Sequence, residues 1–535
     1  MASAPAPWQE IAAKKRAAAF AKIPKEWLLP ESYAQKYNSK TPVSVLGVPR
    51  ECGILTEADL DITEKYDAVA LAEHVAAGKI KSVDVATAFS KRAAIAQQMT
   101  RCLTETFFDE AIERGKWLDE YLAKEGKVVG PLHGVPVSDS FKYKGHESTI
   151  GFVSFVGRPL PEDHSPLLKM LLDLGAILYC KTNIPQTLMT ADSDNNVFGQ
   201  TLNPHKLTLT AGGSSGGEGA LVAMRGSILG VGTDIGGSIR IPALCNGQFG
   251  FKPSASRVPY GGQASPGRAG SPGVLAAAGP LSTTFRDLQF FLENVISKEP
   301  WIYDPSTLAV RWRSVTPKPS LRIGFFVEDP FFPVSPPVKR TLETAAKKLA
   351  AAGHTIIPIT PDFKEENKLI IDFFGLDNTH QSMQNILASG EPLVTSVAAL
   401  VSMYTIPTPH TLEGLFDLNV QRAAKSAKWQ KIWVENKLDV VLCPPAETTA
   451  VVHDTYGNCP YTMLWNLLDY PGVIIPFGFA DKNIDLDSLA TPGTENIYSA
   501  EESDGAPCSV QVTARNLHDE DLLAAASVIS ECLKA

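Results

Sequence analysis

The chain has 535 residues, 44 % of them hydrophobic and 20 % charged, the balance of a folded globular protein rather than a disordered one. Asp and Glu number 58 against 49 Lys and Arg, a formal charge of −9. With no basic block, this excludes nucleic acid and anionic membranes as expected partners.

Residues 8–22 read as a charged amphipathic helix, in which Glu10 and the scarcity of arginine argue against a mitochondrial address. Through residue 125 the pattern is mainly helical. Ala68–Ala77 and Ser82–Arg114 carry apolar residues at helical spacing with few breakers. From Pro131 the texture changes. Val135–Val137, Ala176–Tyr179, Gly226–Gly232 and Phe249–Phe251 are short apolar runs bounded by Gly, Pro or Asn. They alternate with the helical stretches Pro166–Leu174 and Gly217–Met224. Such alternation predicts an α/β/α architecture around a large mixed, mostly parallel sheet of about ten or more strands. Residues 257–280 are rich in Gly, Pro and Ser, yet hold Tyr260 and Arg268, and are expected to form an ordered loop against the site. Residues 300–440 read as an inserted α/β segment: strand Leu321–Phe326, helix Val338–Ala352, strand Thr355–Ile359, longer helices, and strand Val440–Cys443. The expected organisation is an N-terminal helical layer, 1–125, forming one unit with an α/β domain, 126–535.

No apolar run reaches the ~18 residues of a spanning helix. The eight cysteines form no CxxC pair, as expected of reduced thiols in a cytoplasmic protein. Cys180 and Cys245 read as inert packed thiols. No metal is expected: His146-Glu147 opens like a zinc-helix motif, but Ile150 stands where the second His belongs. His205 and His453, in turn-like contexts, read as surface or hydrogen-bonding residues.

The informative stretch is 211–242, AGGSSGGEGALVAMRGSILGVGTDIGGSIRIP. Two Gly-Gly-Ser elements end at Ser214 and Ser238. No Gly-Lys-Ser/Thr closes a phosphate loop, and Ile235 occupies a position that a dinucleotide fingerprint would give to Gly. Two readings stay open, a pair of tight turns or a catalytic site. In the second, Gly236 and Gly237 turn the backbone sharply and leave N–H groups free to meet a developing oxyanion while Ser238 Oγ attacks a carbonyl. Asp234 and Arg240 flank the turn and can pair to brace it. Ser214 can relay a proton, because a hydroxyl both donates and accepts. No histidine stands nearby in sequence to complete a Ser-His-Asp triad.

Together with PLHGVPV (131–137), KTNIPQ (181–186), FGQTLNP (198–204), GFKP (250–253), WNLLDYP (465–471) and GAP (505–507), this stretch resembles the amidase signature family, in its acetamidase-like and fatty acid amide hydrolase-like branch. The resemblance covers most of the chain. It implies a Ser–cis-Ser–Lys hydrolase of small-molecule amides, with no cofactor, and a homodimer. Ser238 matches the nucleophile and Ser214 the bridging serine, preceded by a cis bond. Ile235, Gly236, Gly237 and Ser238 match the oxyanion backbone, with Ser214 also against the substrate. Leu188 and Met189 fall near the substrate cavity. Phe373, Phe374, Trp465 and Tyr470 are open between lining an acyl pocket and ordinary packing.

One departure matters. The family places an apolar residue and the catalytic lysine between its serine and a following acidic residue. Here the chain runs Val137-Ser138-Asp139-Ser140-Phe141-Lys142-Tyr143-Lys144-Gly145, and that pair is absent. Ser140 takes the lysine's place in the upstream register, Ser138 in the downstream one, and Lys144 matches an ordinary lysine. Lys142 is the remaining substitute. The expectation is therefore an amidase impaired by loss of its general base. The alternatives are a noncatalytic amidase-fold binding protein and, less favoured by the acidic charge, an amidotransferase subunit.

Overall fold

The structure, a computed structural model, describes residues 8–404, 409–491 and 498–534. Eleven strands form one sheet: β1 Leu103–Thr106, β2 Pro136–Asp139, β3 Ile177–Thr182, β4 Leu229–Asp234, β5 Phe249–Lys252, β6 Ala277–Ser282, β7 Arg322–Phe325, β8 Thr355–Pro358, β9 Val440–Cys443, β10 Gly472–Phe479 and β11 Pro507–Thr513. Their order is β1-β3-β2-β4-β6-β5-β10-β11-β9-β7-β8. The large mixed sheet with flanking helices is the one expected. Its parallel pairings lie in two runs, β3-β2-β4 and β9-β7-β8. Between them β4-β6-β5-β10-β11-β9 is antiparallel throughout, as is β1 on the edge.

The segment 300–440 joins this same sheet, its strands β7, β8 and β9 extending one edge. A continuous apolar core runs from Ile23, just after the first helix, to Leu533 in the last one. No helix among the described residues is long and apolar enough to cross a membrane.

Two expectations change. Ser82–Arg114 is not one helix. The first helix stops at Thr100, where Arg101 takes a left-handed φ of 55°, and the chain reverses into β1 before a second helix, Phe108–Glu125. The Gln97 carboxamide accepts the Leu103 N–H at 2.6 Å, and Asn183 N–H bonds the Cys102 carbonyl at 2.8 Å. These contacts and the β-favouring Leu-Thr-Glu-Thr run outweigh a helical pattern that looked continuous. The second change is β6, central in the sheet although it reads Ala-Ala-Gly-Pro-Leu-Ser. Ala, Gly and Pro are poor strand formers, so no local signal announces it.

The site depends on how close the helix Gly216–Ala223 comes to the strands. A Cβ at Gly217 would lie 2.6 Å from the Cys102 carbonyl and closer still to the Asn183 backbone. All of these are backbone atoms that cannot swing away. Gly217→Ala is expected to destabilise the fold by about 1–3 kcal/mol through overpacking, read as a lowered urea midpoint with an unchanged m-value.

Candidate active site

The site begins with Asp234, the last residue of β4, and Arg240, at the start of the helix Arg240–Cys245. Both are fully buried. Arg240 Nε and Nη2 donate to the two Asp234 oxygens at 3.0 and 2.9 Å. Asn466 donates to Asp234 at 2.9 Å and accepts from Arg240 at 2.6 Å. Gln511 takes a further guanidinium N–H at 2.9 Å. Burial alone would raise the Asp234 carboxyl, but the Arg240 charge and these hydrogen bonds hold it down at about 2. The expected brace is thus present, and it reaches across the sheet to β11.

Asp234 also takes two backbone donors of the turn it spans, Gly237 N–H at 2.9 Å and Ile239 N–H at 3.2 Å. This differs from the expectation for Gly237, whose N–H is committed to the carboxylate rather than open. The N–H groups of Ile235, Gly236 and Ser238 bond no acceptor among the described residues. Gly237 has φ 136°, a conformation reserved for glycine, and an added Cβ would strike the Thr462 side chain. The Thr462 hydroxyl fixes the other side of the turn by donating to the Gly236 carbonyl at 2.6 Å.

The Ser214 turn is tied to this one. Ser215 N–H bonds the Ser238 carbonyl at 3.1 Å, and the Ser215 hydroxyl accepts Thr233 N–H at 3.1 Å. The Gly213–Ser214 peptide bond is cis. Beneath it lies a support that the sequence reading missed. Buried Ser193 Oγ meets the carbonyls of Gly212 at 2.9 Å and Ser214 at 3.1 Å, and accepts Gly216 N–H at 3.0 Å. Thr210 Oγ1 accepts Gly212 N–H at 3.0 Å and donates to Asp192 at 2.8 Å. No motif flags Ser193; only the tertiary approach of its loop gives it this place.

Ser214, Ser238 and Ile235 share a cavity of about 630 Å³. Leu188 and Met189 line it, as expected, and Thr187 and Leu188 both hold positive φ, 74° and 62°. Phe373 and Phe374 line it too, whereas Trp465 and Tyr470 do not. Trp465 instead stacks on Tyr470 at 6.0 Å and meets Trp429 edge-on at 5.0 Å, so that pair is packing. Residues 265–272 wall the cavity, the ordered loop foreseen there.

The segment that lacks the lysine keeps its strand. Ser138 and Asp139 of β2 pair with Gly230 and Val231 of β4. Ser138 Oγ donates to Glu218 at 2.6 Å and Thr182 Oγ1 does so at 2.7 Å. Asp139 and Lys181, each one residue along its strand, therefore point to the opposite face. Lys181 Nζ donates there to the Glu147 carbonyl at 2.9 Å and Ser148 Oγ at 2.7 Å. Ser140 lines a separate recess of about 10 Å³ with Lys181. Lys142 is half-buried. Its backbone meets Gln263 and Ser165, its amine has no partner among the described residues, and it does not line the cavity. Neither Ser138, Ser140 nor Lys142 reaches the two serines, and no amine, imidazole or carboxylate among the described residues hydrogen-bonds Ser214 Oγ or Ser238 Oγ. Burial, opposed by their mutual attraction, pushes Lys181 down to about 8 and Asp139 up to about 7.

His205 Nε2 meets the Asn246 carbonyl at 3.1 Å and His453 Nε2 the Leu207 carbonyl at 3.1 Å, the hydrogen-bonding roles expected. Burial raises the Cys180 and Cys245 thiols well above their ordinary value. No group of three or more His, Cys, Asp or Glu side chains among the described residues is placed to hold a metal ion.

The Amidase family pattern matches residues 84–523. An amidase of Gibberella moniliformis is 42 % identical over 533 residues, covering 99 % of both chains. The acetamidase of Emericella nidulans is 38 % identical over 555 residues, again covering 99 % of each. A solved fatty acid amide hydrolase superposes with a TM-score of 0.93 at 33 % identity, over 99 % of this chain and 95 % of that one.

Two measurements test the supports of the site. Ser193→Ala strands the Gly216 N–H and the Gly212 carbonyl, and is expected to cost about 1–3 kcal/mol in urea unfolding. Glu218 is pushed up to about 8 by burial, against the pull of Ser138 and Thr182. The fold therefore keeps a proton that the unfolded chain loses above about 4.5. Stability should fall as pH rises between those two values, and Glu218→Gln should flatten that decline.

Proposed function

The chain belongs to the amidase family, and on that premise we propose that it hydrolyses carboxylic amides, taking amide and water to carboxylate and amine or ammonia, through an acyl ester on Ser238. In this reading Ser238 Oγ attacks the carbonyl carbon. The open N–H groups of Ile235, Gly236 and Ser238 receive the oxyanion, and a donor fixed in place beforehand costs no reorganisation as charge develops. Ser214 takes the proton from Ser238. The observation that carries the reading is the meeting of both serines with Ile235 in one cavity, Gly236 lining an adjoining recess with Ile235 and Ser238. The chemistry requires no metal or cofactor.

Turnover in this reading is impaired, because no amine among the described residues is hydrogen-bonded to Ser214 to accept the proton that reaches it. A serine without a base is a weak nucleophile near neutral pH. One observation also favours a second reading, a noncatalytic binding protein: no basic group is hydrogen-bonded to either hydroxyl among the described residues. A fluorophosphonate probe separates the two. Labelling at Ser238 above a Ser238→Ala control supports the hydrolase. Absence of labelling on folded protein that still binds amides supports the binding protein. All eight cysteines are unpaired, which supports a cytoplasmic location; a homodimer is carried by the family resemblance alone.

Inserting Leu-Lys between Ser138 and Asp139 puts a lysine two residues beyond Ser138, and so on the strand face that carries Glu218 and its helix. The inserted protein is expected to hydrolyse amides at least about a hundredfold faster in kcat/KM than the natural chain, the size of a restored general base. Equal values would refute the impairment. In that event, loss of activity in Lys142→Ala would identify Lys142 as the base.

A further inference from the structure

We infer that this site acts on activated acyl esters by a single acylation, holding the product as a persistent acyl-Ser238. The inference rests on the reading of Ser238 as nucleophile and follows from which parts of the site are present. Three backbone donors stand open at Ile235, Gly236 and Ser238. Ser238 is partly exposed to a cavity of about 630 Å³. Asp234 and Arg240 hold the turn in place. Among the described residues, no base is hydrogen-bonded to either serine hydroxyl.

These parts serve the two halves of acyl transfer unequally. An amide must lose its nitrogen as an amine, so the leaving group needs a proton in the transition state. Among the described residues only the Ser214 hydroxyl, with no base behind it, stands in the cavity to relay one, which makes this step slow. An aryl ester loses a stable aryloxide and needs none. The Ser238 Oγ–carbonyl carbon bond forms, the carbon–oxygen bond to the aryl group breaks, and the aryloxide leaves with its electron pair. The Ser238 proton passes to water in the cavity, directly or through the Ser214 hydroxyl. The donors stabilise the tetrahedral oxyanion whichever group leaves. Deacylation is the harder half. The acyl-serine is an unactivated ester, and the attacking water must give up a proton in the transition state. Lys181 cannot take it, being on the other face of the sheet, and Lys142 lies outside the cavity. Acylation therefore outruns deacylation and the ester on Ser238 accumulates.

The test is p-nitrophenyl butyrate mixed with the full chain. The expected result is a burst of about one nitrophenolate per chain, then release at least about a hundredfold slower. Intact mass should increase by one butyryl group, located on Ser238 by peptide mapping. Ser238→Ala should give neither, and butyranilide should acylate the protein at least about a hundredfold more slowly than the ester. The Leu-Lys insertion should release nitrophenolate continuously without the adduct. Continuous turnover by the natural chain with no adduct overturns the inference, as does an adduct confined to another residue. A fluorophosphonate run in parallel separates the levels of failure. If it labels Ser238 while the ester does not, the inference falls and the nucleophile stands. If neither reagent modifies Ser238, the nucleophile reading falls with it.

Discussion

Everything at the centre of this molecule depends on one buried carboxylate. Asp234 ends β4 and gathers the Arg240 guanidinium, the Asn466 amide and the N–H groups of Gly237 and Ile239. A lone buried carboxylate would be driven to protonate. Here the guanidinium and three further donors keep it ionised. The same bonds determine which backbone N–H groups remain for anything else. Because Asp234 takes Gly237 and Ile239, the intervening Ser238 N–H, together with Ile235 and Gly236, is left unspent. The turn's internal electrostatics thus select the donors of the site.

Around that point the fold assembles pieces distant in sequence. The Ser214 turn is supported from below by Ser193 and Thr210, and is joined to the Ser238 turn by a single backbone bond from Ser215. The cavity wall comes from several further places, among them the loop 265–272, the end of the helix Lys364–Phe374, and the Thr187–Met189 corner with its two positive φ values. Such strained residues persist only where surrounding structure holds them, and here they border the space above both serines.

The segment where the family resemblance expects a lysine shows how little a strand needs in order to form. β2 needs only four residues to pair with β3 and β4, and Pro136–Asp139 supplies them. Hydroxyl contacts from Ser138 and Thr182 satisfy Glu218 on one face, while Asp139 and Lys181 face the other. Strand pairing is a backbone matter and tolerates the shortened link. A proton acceptor must reach one particular oxygen atom, and among the described residues no amine, imidazole or carboxylate hydrogen-bonds either serine hydroxyl.

The sequence by itself determined the α/β alternation, because short apolar runs between helical stretches have few other solutions. It also marked the two Gly-Gly-Ser turns, in each of which one glycine, Gly212 or Gly237, holds a positive φ that favours glycine. Strands such as Val440–Cys443 were legible to the residue. Only the tertiary structure decided what local pattern does not encode. Strand β6 is built from poor strand formers and exists because β4 and β5 offer it paired edges. Phe373 and Trp465 look alike in sequence, yet one walls the cavity and the other stacks in the core. Ser193 carries no motif and becomes a support only when its loop meets the Ser214 turn. Periodicity and turn chemistry are properties of neighbouring residues, whereas a cavity, a clamp and the face to which a lysine points are set by segments tens to hundreds of residues apart.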